Sequence, residues 1–529
     1  MKRLALAGMA AALCLVGHMA TAAITGPIKT EGGLVQGKAE GDLTIFKGIP
    51  FAAPPVGDLR WKAPQPVQPW SGVKETKEYA PACMQNSAAN PRIGLPAIKV
   101  SEDCLYLNIW TPAKSAGEKL PVMVWIYGGG FSAGSTSYAL YDGVNLANKG
   151  VIVVSIAYRV GPFGFLAHPG LTAESAHHVS GNYGLEDQIA GLKWVKDNIA
   201  AFGGDPSKVT IFGESAGGIS VSMLAASPLA KGLFEGAISE SGGSFGPVHS
   251  GPAAGENVQP MKDAEKAGEA FAEKLGAKTV ADLRKISAAD IQKSSGGRLG
   301  TSWPVMDGYV IPDDQYKLYE RGRYNDVPVL IGTNSDEGAL FVFKTTADQY
   351  KKSTEERYGP YAESLLKVYP ATNDAVALQS ARDLSRDVTF GWHTWAWAQL
   401  QAKTGKSKIF MYYFAHKPPE APNSPLHSKG ATHGSEMAYV FHNLTAGVPY
   451  TDSDRAIADA MSTYWTNFAK TGDPNGAGVP AWPQFTNANP KAMHFTDKPE
   501  AGPVANLPQL QAVDAYMKYR REQESPATE

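Results

Sequence analysis

The chain has 529 residues, 43% of them hydrophobic and 19% charged, a globular balance far from the low-hydrophobicity, high-charge signature of disorder. A formal net charge of -2 gives no electrostatic reason to expect nucleic acid or an anionic membrane as a partner. Length alone suggests several domains, but large α/β proteins often run long as one unit, and a core of this size needs no extra staples.

The chain opens on Met1-Lys2-Arg3, continues through an almost wholly apolar stretch from Leu4 to Met19, and reaches the small residues Thr21-Ala22-Ala23. This three-part pattern is that of a secretory signal peptide, too short and wrongly flanked for a lasting membrane span or anchor. We expect cleavage near Ala22 or Ala23 and a secreted or periplasmic mature chain, residues 24–529. Cys14 leaves with the leader. Cys83 and Cys104 then remain as an even pair in an oxidising compartment, which reads as one disulfide. Closing that loop of roughly 20 residues is worth about 3 kcal/mol in the loop-entropy picture. No Cys/His cluster has metal-ligand spacing, so no structural zinc, other metal or cofactor is expected.

Leu120–Tyr127 and Val151–Tyr158 are continuous apolar runs rich in β-branched residues, the kind buried inside a parallel sheet. From Leu185 to Phe202 the residues Ile189, Leu192, Val195 and Ile199 recur at three- and four-residue spacing, which predicts a helix. Val209–Gly213 and Val327–Gly332 read as further strands. Ala456–Lys470 reads as an amphipathic helix stopped by Thr471-Gly472-Asp473-Pro474. There is no internal repeat or long linker. Strands alternating with helices predict a single α/β domain over residues 24–529, with a mostly parallel central sheet and helices on both faces.

The sharpest chemical signal is Gly213-Glu214-Ser215-Ala216-Gly217. It fits the G-x-S-x-G turn in which a strand passes sharply into a helix and pushes a nucleophilic serine out at the top of the sheet, the α/β-hydrolase arrangement. A strand-like run ends at the first glycine and a helix-compatible Gly218–Ala226 follows. A serine hydroxyl is a poor nucleophile at neutral pH and needs a base, with a third group to orient that base. In this arrangement the chain order is serine, acid, histidine. Gly332-Thr333-Asn334-Ser335-Asp336-Glu337-Gly338 closes a strand and offers two carboxylates; Thr432-His433-Gly434 places a histidine in a loop. Order alone does not choose between Asp336 and Glu337, nor between His433 and His393, His416, His427, His442 or His494. Tyr127-Gly128-Gly129-Gly130-Phe131 follows the Leu120 strand, where this fold sets its oxyanion loop; residues without side chains let backbone N–H groups approach a developing negative charge.

These residues resemble the type-B carboxylesterases, a family that includes bacterial enzymes of the para-nitrobenzyl esterase kind, the cholinesterases and the adhesion protein neuroligin. The resemblance runs over nearly the whole mature chain: Phe46-Lys47-Gly48-Ile49-Pro50, Ser101-Glu102-Asp103-Cys104-Leu105-Tyr106-Leu107-Asn108, Trp125 to Phe131, and Tyr158-Arg159-Val160-Gly161. It continues through Phe202-Gly203-Gly204-Asp205-Pro206, Phe212 to Gly218, Asp336-Glu337-Gly338, His433-Gly434, and Trp465 to Pro474. It implies Glu337 as the acid, His433 as the base, and Gly129, Gly130 and Ala216 as oxyanion donors. It further implies Cys83–Cys104 as the family's first disulfide, and Ser241 and Asp387 as supporting partners around the histidine and the acid.

Two departures narrow the resemblance. Met84 to Asp103 holds no aromatic residue, so the tryptophan with which cholinesterases grip a choline cation is missing. No cysteine follows Cys104, so the later disulfides of the animal members are absent too. The expectation is a serine hydrolase that cleaves small-molecule carboxylic esters through an acyl-enzyme. The alternative is a non-catalytic, neuroligin-like binding module. Trp392, Trp395 and Trp397 either line an aromatic gorge or pack the core; the natural ester and the oligomeric state are not readable from the chain.

Overall fold

The computed structural model describes residue 24 and residues 26–89, 96–248, 258–296, 302–419 and 428–524; the leader with Cys14, and His427, lie outside them. Eleven strands form one sheet: Lys38–Glu40 (β1), Leu43–Pro50 (β2), Tyr106–Thr111 (β3), Leu120–Ile126 (β4), Ile152–Ile156 (β5), Gly204–Glu214 (β6), Gly236–Glu240 (β7), Val329–Asn334 (β8), Ile409–Phe414 (β9), Lys491–Phe495 (β10) and Pro499–Pro503 (β11). Their spatial order is β11-β10-β9-β8-β7-β6-β4-β5-β3-β2-β1. The strands from β10 to β5 run parallel. β11 at one end, and β3, β2 and β1 at the other, run antiparallel to their neighbours. Prolines 499 and 503 in β11 and the charged Lys38 and Glu40 in β1 blunt the two edges against further pairing.

Burial explains why the central strands read as unbroken apolar runs. Val122 to Ile126 and Ile152 to Val154 are fully buried because helices cover both faces. On one face, Gly191 of the Tyr183–Asn198 helix and Gly217 of the Ala216–Ala226 helix approach Ile156 and Ile126. On the other, Phe468 of the Asp452–Thr471 helix packs on Gly236 and Phe410. The long helices follow the predicted periodicity. Tyr183–Asn198 runs on into a 3-10 turn, Ile199–Phe202, and stops at Gly203 with φ +85°. Asp452–Thr471 begins at Thr451, whose hydroxyl and Asp454 cap each other, and ends at Gly472 with φ +70°.

Cys83 and Cys104 are joined in a disulfide, and the short pair Ala82–Cys83 and Val100–Ser101 zips the base of the loop it closes. Trp392, Trp395 and Trp397 lie on the Trp392–Thr404 helix and are buried. The Trp397 indole N–H donates to Gln401 and that of Trp392 to Asp514, so these rings serve the core. Among the described residues no helix is long and apolar enough to cross a membrane.

Candidate active site

The loops leaving the C-terminal ends of β4, β6, β8 and β9 supply the glycine loop, Ser215, Glu337 and His433 respectively, the edge of a parallel sheet where sites in α/β proteins form. Ser215 stands between β6 and the Ala216–Ala226 helix at φ +56° and ψ −125°. The turn is tight enough to require its glycines. A methyl on Gly213 would lie 2.6 Å from the Gly217 carbonyl carbon, and one on Gly218 would lie 2.8 Å from the Glu240 carbonyl oxygen. Ser215 N donates to Glu240 O at 2.8 Å, which fixes the turn to β7.

Ser215 Oγ lies 2.8 Å from His433 Nε2, and Nδ1 of the same ring lies 2.6 Å from Glu337 Oε2. A carboxylate only accepts, so Nδ1 carries the proton and Nε2 is left to accept from the serine. Glu337 is fully buried, and its other oxygen accepts from Ser241 Oγ at 2.5 Å and Asn334 N at 2.7 Å. Asp336 points elsewhere, accepting from Lys429 N at 2.9 Å and from Gln379 Nε2.

The other described histidines after Ser215 have separate occupations. His393 accepts from Phe245 N, His416 pairs with Asp454, the His442 carbonyl accepts from Asn145, and His494 Nε2 donates to Pro503 O. Ser241 sits against the acid, as the resemblance implies. Asp387 does not come to the histidine or the acid. It is taken by its neighbour Arg386, whose buried guanidinium needs the charge, and by the Tyr369 hydroxyl. Its link to the site is indirect: Arg386 also donates to Ser335 O, beside the acid loop.

The amide N–H groups of Gly129, Gly130 and Ala216 donate to no acceptor among the described residues. Gly128 packs on the serine, a methyl there falling 3.0 Å from Ser215 Cβ. Ala216 opens its helix, where the first N–H groups lack partners and the helix dipole favours negative charge. The loop, the elbow and the dipole therefore converge on one place suited to an oxyanion.

Five residues of the site escape the sequence reading. Glu214, the variable position inside the glycine-serine motif, is buried with Oε1 3.2 Å from His433 Nε2. Glu240 and Glu436 are buried nearby; Glu240 accepts from the Trp465 indole at 2.8 Å and Glu436 from Asn334 Nδ2. One oxygen of each of these three carboxyls accepts no hydrogen bond among the described residues. Finally, Phe390 stacks on the His433 ring at 4.6 Å, and Phe341, 48% exposed, lies 5.6 Å from it.

Burial pushes the Glu214 carboxyl up to about 7, against the pull of His433, and the Glu240 carboxyl up to about 8. Burial raises Glu436 as well. On His433 burial acts downward, but Glu214 and Glu337 outweigh it and hold the imidazole up at about 9. No group of three or more His, Cys, Asp or Glu among the described residues could hold a metal ion.

Sheet, elbow and serine–histidine–glutamate chain together are those of the α/β hydrolases. The profile of the carboxylesterase family matches residues 25–515, and the chain belongs to that family of ester hydrolases. It is 39% identical over 481 residues to fumonisin B1 esterase of Sphingopyxis macrogoltabida, covering 86% of this chain and 84% of that one. It is 37% identical over 481 residues to para-nitrobenzyl esterase of Bacillus subtilis (strain 168), covering 87% and 92%. A solved structure of a PNB esterase superposes with a TM-score of 0.78 at 34% identity, over 92% of this chain and 100% of that one.

The carboxyl cluster makes stability depend on pH. Glu240 titrates higher folded than the roughly 4.3 of an unfolded glutamate, so the folded protein keeps a proton that the unfolded chain has lost. Its contribution is therefore intact below about pH 4.3 and shrinks as pH rises toward about 8. Glu240→Gln keeps the acceptor for Trp465 and removes the titration. Melting curves should match wild type near pH 4.5 and favour the variant at pH 9, by the equivalent of about 2 kcal/mol or more. A gap that does not widen with pH would refute this assignment.

Proposed function

We propose that this carboxylesterase works through an acyl-enzyme on Ser215, with His433 as general base and acid, Glu337 as its orienting carboxylate, and Gly129, Gly130 and Ala216 N–H as the oxyanion hole. The observation that carries the reading is the unbroken hydrogen-bonded chain from Ser215 through His433 to Glu337. His433 Nε2 takes the Ser215 proton as Oγ attacks the ester carbonyl carbon. The carbonyl oxygen becomes an oxyanion facing the three free amides. The tetrahedral adduct collapses, His433 returns the proton to the departing alcohol, and the acyl group stays on Ser215. Water then attacks in the same way, giving its proton to His433, and the acid leaves as the serine is reprotonated.

The alcohol departs beside His433 Nε2, because that nitrogen delivers its proton. Phe390 and the exposed Phe341 border the ring there and favour an apolar or aromatic alcohol portion. The name of one relative, para-nitrobenzyl esterase, accords with an ester of an aromatic alcohol. We also propose that the enzyme is exported and acts as one domain from residue 24. The basic-apolar-small leader and the Cys83–Cys104 disulfide support this.

Three outcomes check the proposal. Purified mature enzyme should hydrolyse a short-acyl nitrophenyl ester, and Ser215→Ala should lower kcat by roughly 10,000-fold or more. A folded wild type without turnover would instead favour the neuroligin-like binding reading. Protein made by the native host should begin close to Ala23 and lie outside the cytosol; an intact Met1 terminus on active cytosolic protein would refute export.

The third concerns pH. The base must be neutral, so kcat/KM falls as pH drops through the His433 pKa, which stands at about 9. Glu214→Gln removes one of the two negative charges that hold it there. The acid limb of kcat/KM measured from pH 5 to 10 should therefore move to lower pH, by about one unit. An unmoved limb would show that Glu214 does not set the base.

A further inference from the structure

The segment that carries the oxyanion donors, Tyr127–Gly134, has neither helix nor strand to stiffen it. Three ties hold it instead. At its start Tyr127 and Tyr158 stack at 4.4 Å and exchange hydroxyl-to-carbonyl bonds of 2.9 and 2.8 Å. In its middle Gly161 N donates to Phe131 O at 2.7 Å. At its end stands Gln85, 3% exposed, from the base of the disulfide loop.

Gln85 uses its whole amide. Its Oε1 accepts from Gly134 N at 2.8 Å; its Nε2 donates to Gly134 O at 2.7 Å and to Cys83 O at 3.0 Å. The side chain thus pairs both main-chain groups of Gly134, as a neighbouring strand would, and ties them to a residue fixed by the Cys83–Cys104 bridge and the Ala82–Cys83 strand.

The lock reaches the donors through one peptide plane. Ser132 N and Ala133 N, the latter adjoining Gly134, both donate to Gly129 O at 3.1 Å. The Gly129 C=O and the Gly130 N–H belong to the same planar peptide, so whatever fixes one aims the other. We propose that Gln85 is a positioning residue for the oxyanion hole: by pinning Gly134 it holds the Gly129–Gly130 peptide with its N–H toward the developing negative charge. This rests on the reading of Gly129 and Gly130 as oxyanion donors. Asparagine is one methylene too short for the same reach, and glutamate keeps only the bond from Gly134 N while setting a carboxylate against two carbonyl oxygens.

The test compares wild type with Gln85→Met, which keeps length and volume but makes none of the three bonds. Active sites are counted by stoichiometric inactivation with an organophosphate, so that misfolded molecules do not enter kcat. Expected are a kcat per site at least ten-fold lower, a KM within about two-fold of wild type, and ten-fold or more weaker inhibition by a trifluoromethyl ketone, which adds to Ser215 as an oxyanion. Wild-type kcat per site with wild-type ketone affinity would overturn the inference, as would a lowered melting temperature alone. If Gln85→Met does not fold, the same measurements on Gln85→Glu decide, with the same loss expected and the same retention contradicting it. Failure of the underlying reading looks different: the trifluoromethyl ketone would then show no tight, oxyanion-type inhibition of the wild type itself.

Discussion

The close seating of the Ala216–Ala226 helix on the end of β6 is the constraint from which the site follows. It holds Ser215 at a positive φ, a conformation that costs a non-glycine residue of order 1–3 kcal/mol and persists only where its surroundings over-determine it. They do so here. Glu240 O accepts from the serine amide, Ile219 N donates to the serine carbonyl, and glycines at 213, 217 and 218 let three main chains meet with no side chain between them. The same turn leaves Ala216 N–H unpaired at a helix N-terminus. The proposed nucleophile and oxyanion donor are therefore set by one piece of backbone, and neither can drift without the other.

The electrostatics run in one direction. Around His433 stand Glu337 and Glu214, with Glu240 and Glu436 behind them, and among the described residues no Lys or Arg forms an ion pair with any of the four. Of these, the charges of Glu214 and Glu337 favour imidazolium, the species that the proposed proton transfer from serine or water forms. It has a cost in the resting protein. Buried carboxyls without counter-ions resist ionisation, which is why Glu214, Glu240 and Glu436 all titrate high. Stability is thereby tied to pH by the groups that favour the charged base.

What the chain discloses unaided follows the range of the interaction. Strands buried on both faces, the capped long helices and the glycine-serine elbow are local patterns, and each appears where its pattern places it. The partners of Ser215 are not local. Seven histidines follow it in the chain, and only the path of the loop after β9 brings His433 to it; resemblance selected that residue, and Glu337 over Asp336, where spacing could not. The aromatic run from Phe390 to Trp397 shows a subtler limit. Its tryptophans face the core, while Phe390 reaches the histidine from the π-helical turn Asp387–Gly391, which shifts the helical phase in a way periodicity does not register. Asp387 was drawn away by the residue next to it. Glu214 was hidden in plain view, at a motif position where any residue is allowed.

The oxyanion loop shows why residues far from the reacting atoms are still needed. A catalytic serine on a strand-helix junction inherits the rigidity of both elements; a run of glycines inherits none. Its accuracy has to be imported, and it comes from Tyr158 and Gly161 beyond β5, and from Gln85 at the disulfide. The N-terminal third of the chain places no residue in the proton-transfer chain. Its antiparallel strands and bridged loop nonetheless form a fixed wall against which the glycine loop is pinned, so that in the proposed mechanism the developing negative charge meets donors already in place rather than donors that must first be gathered.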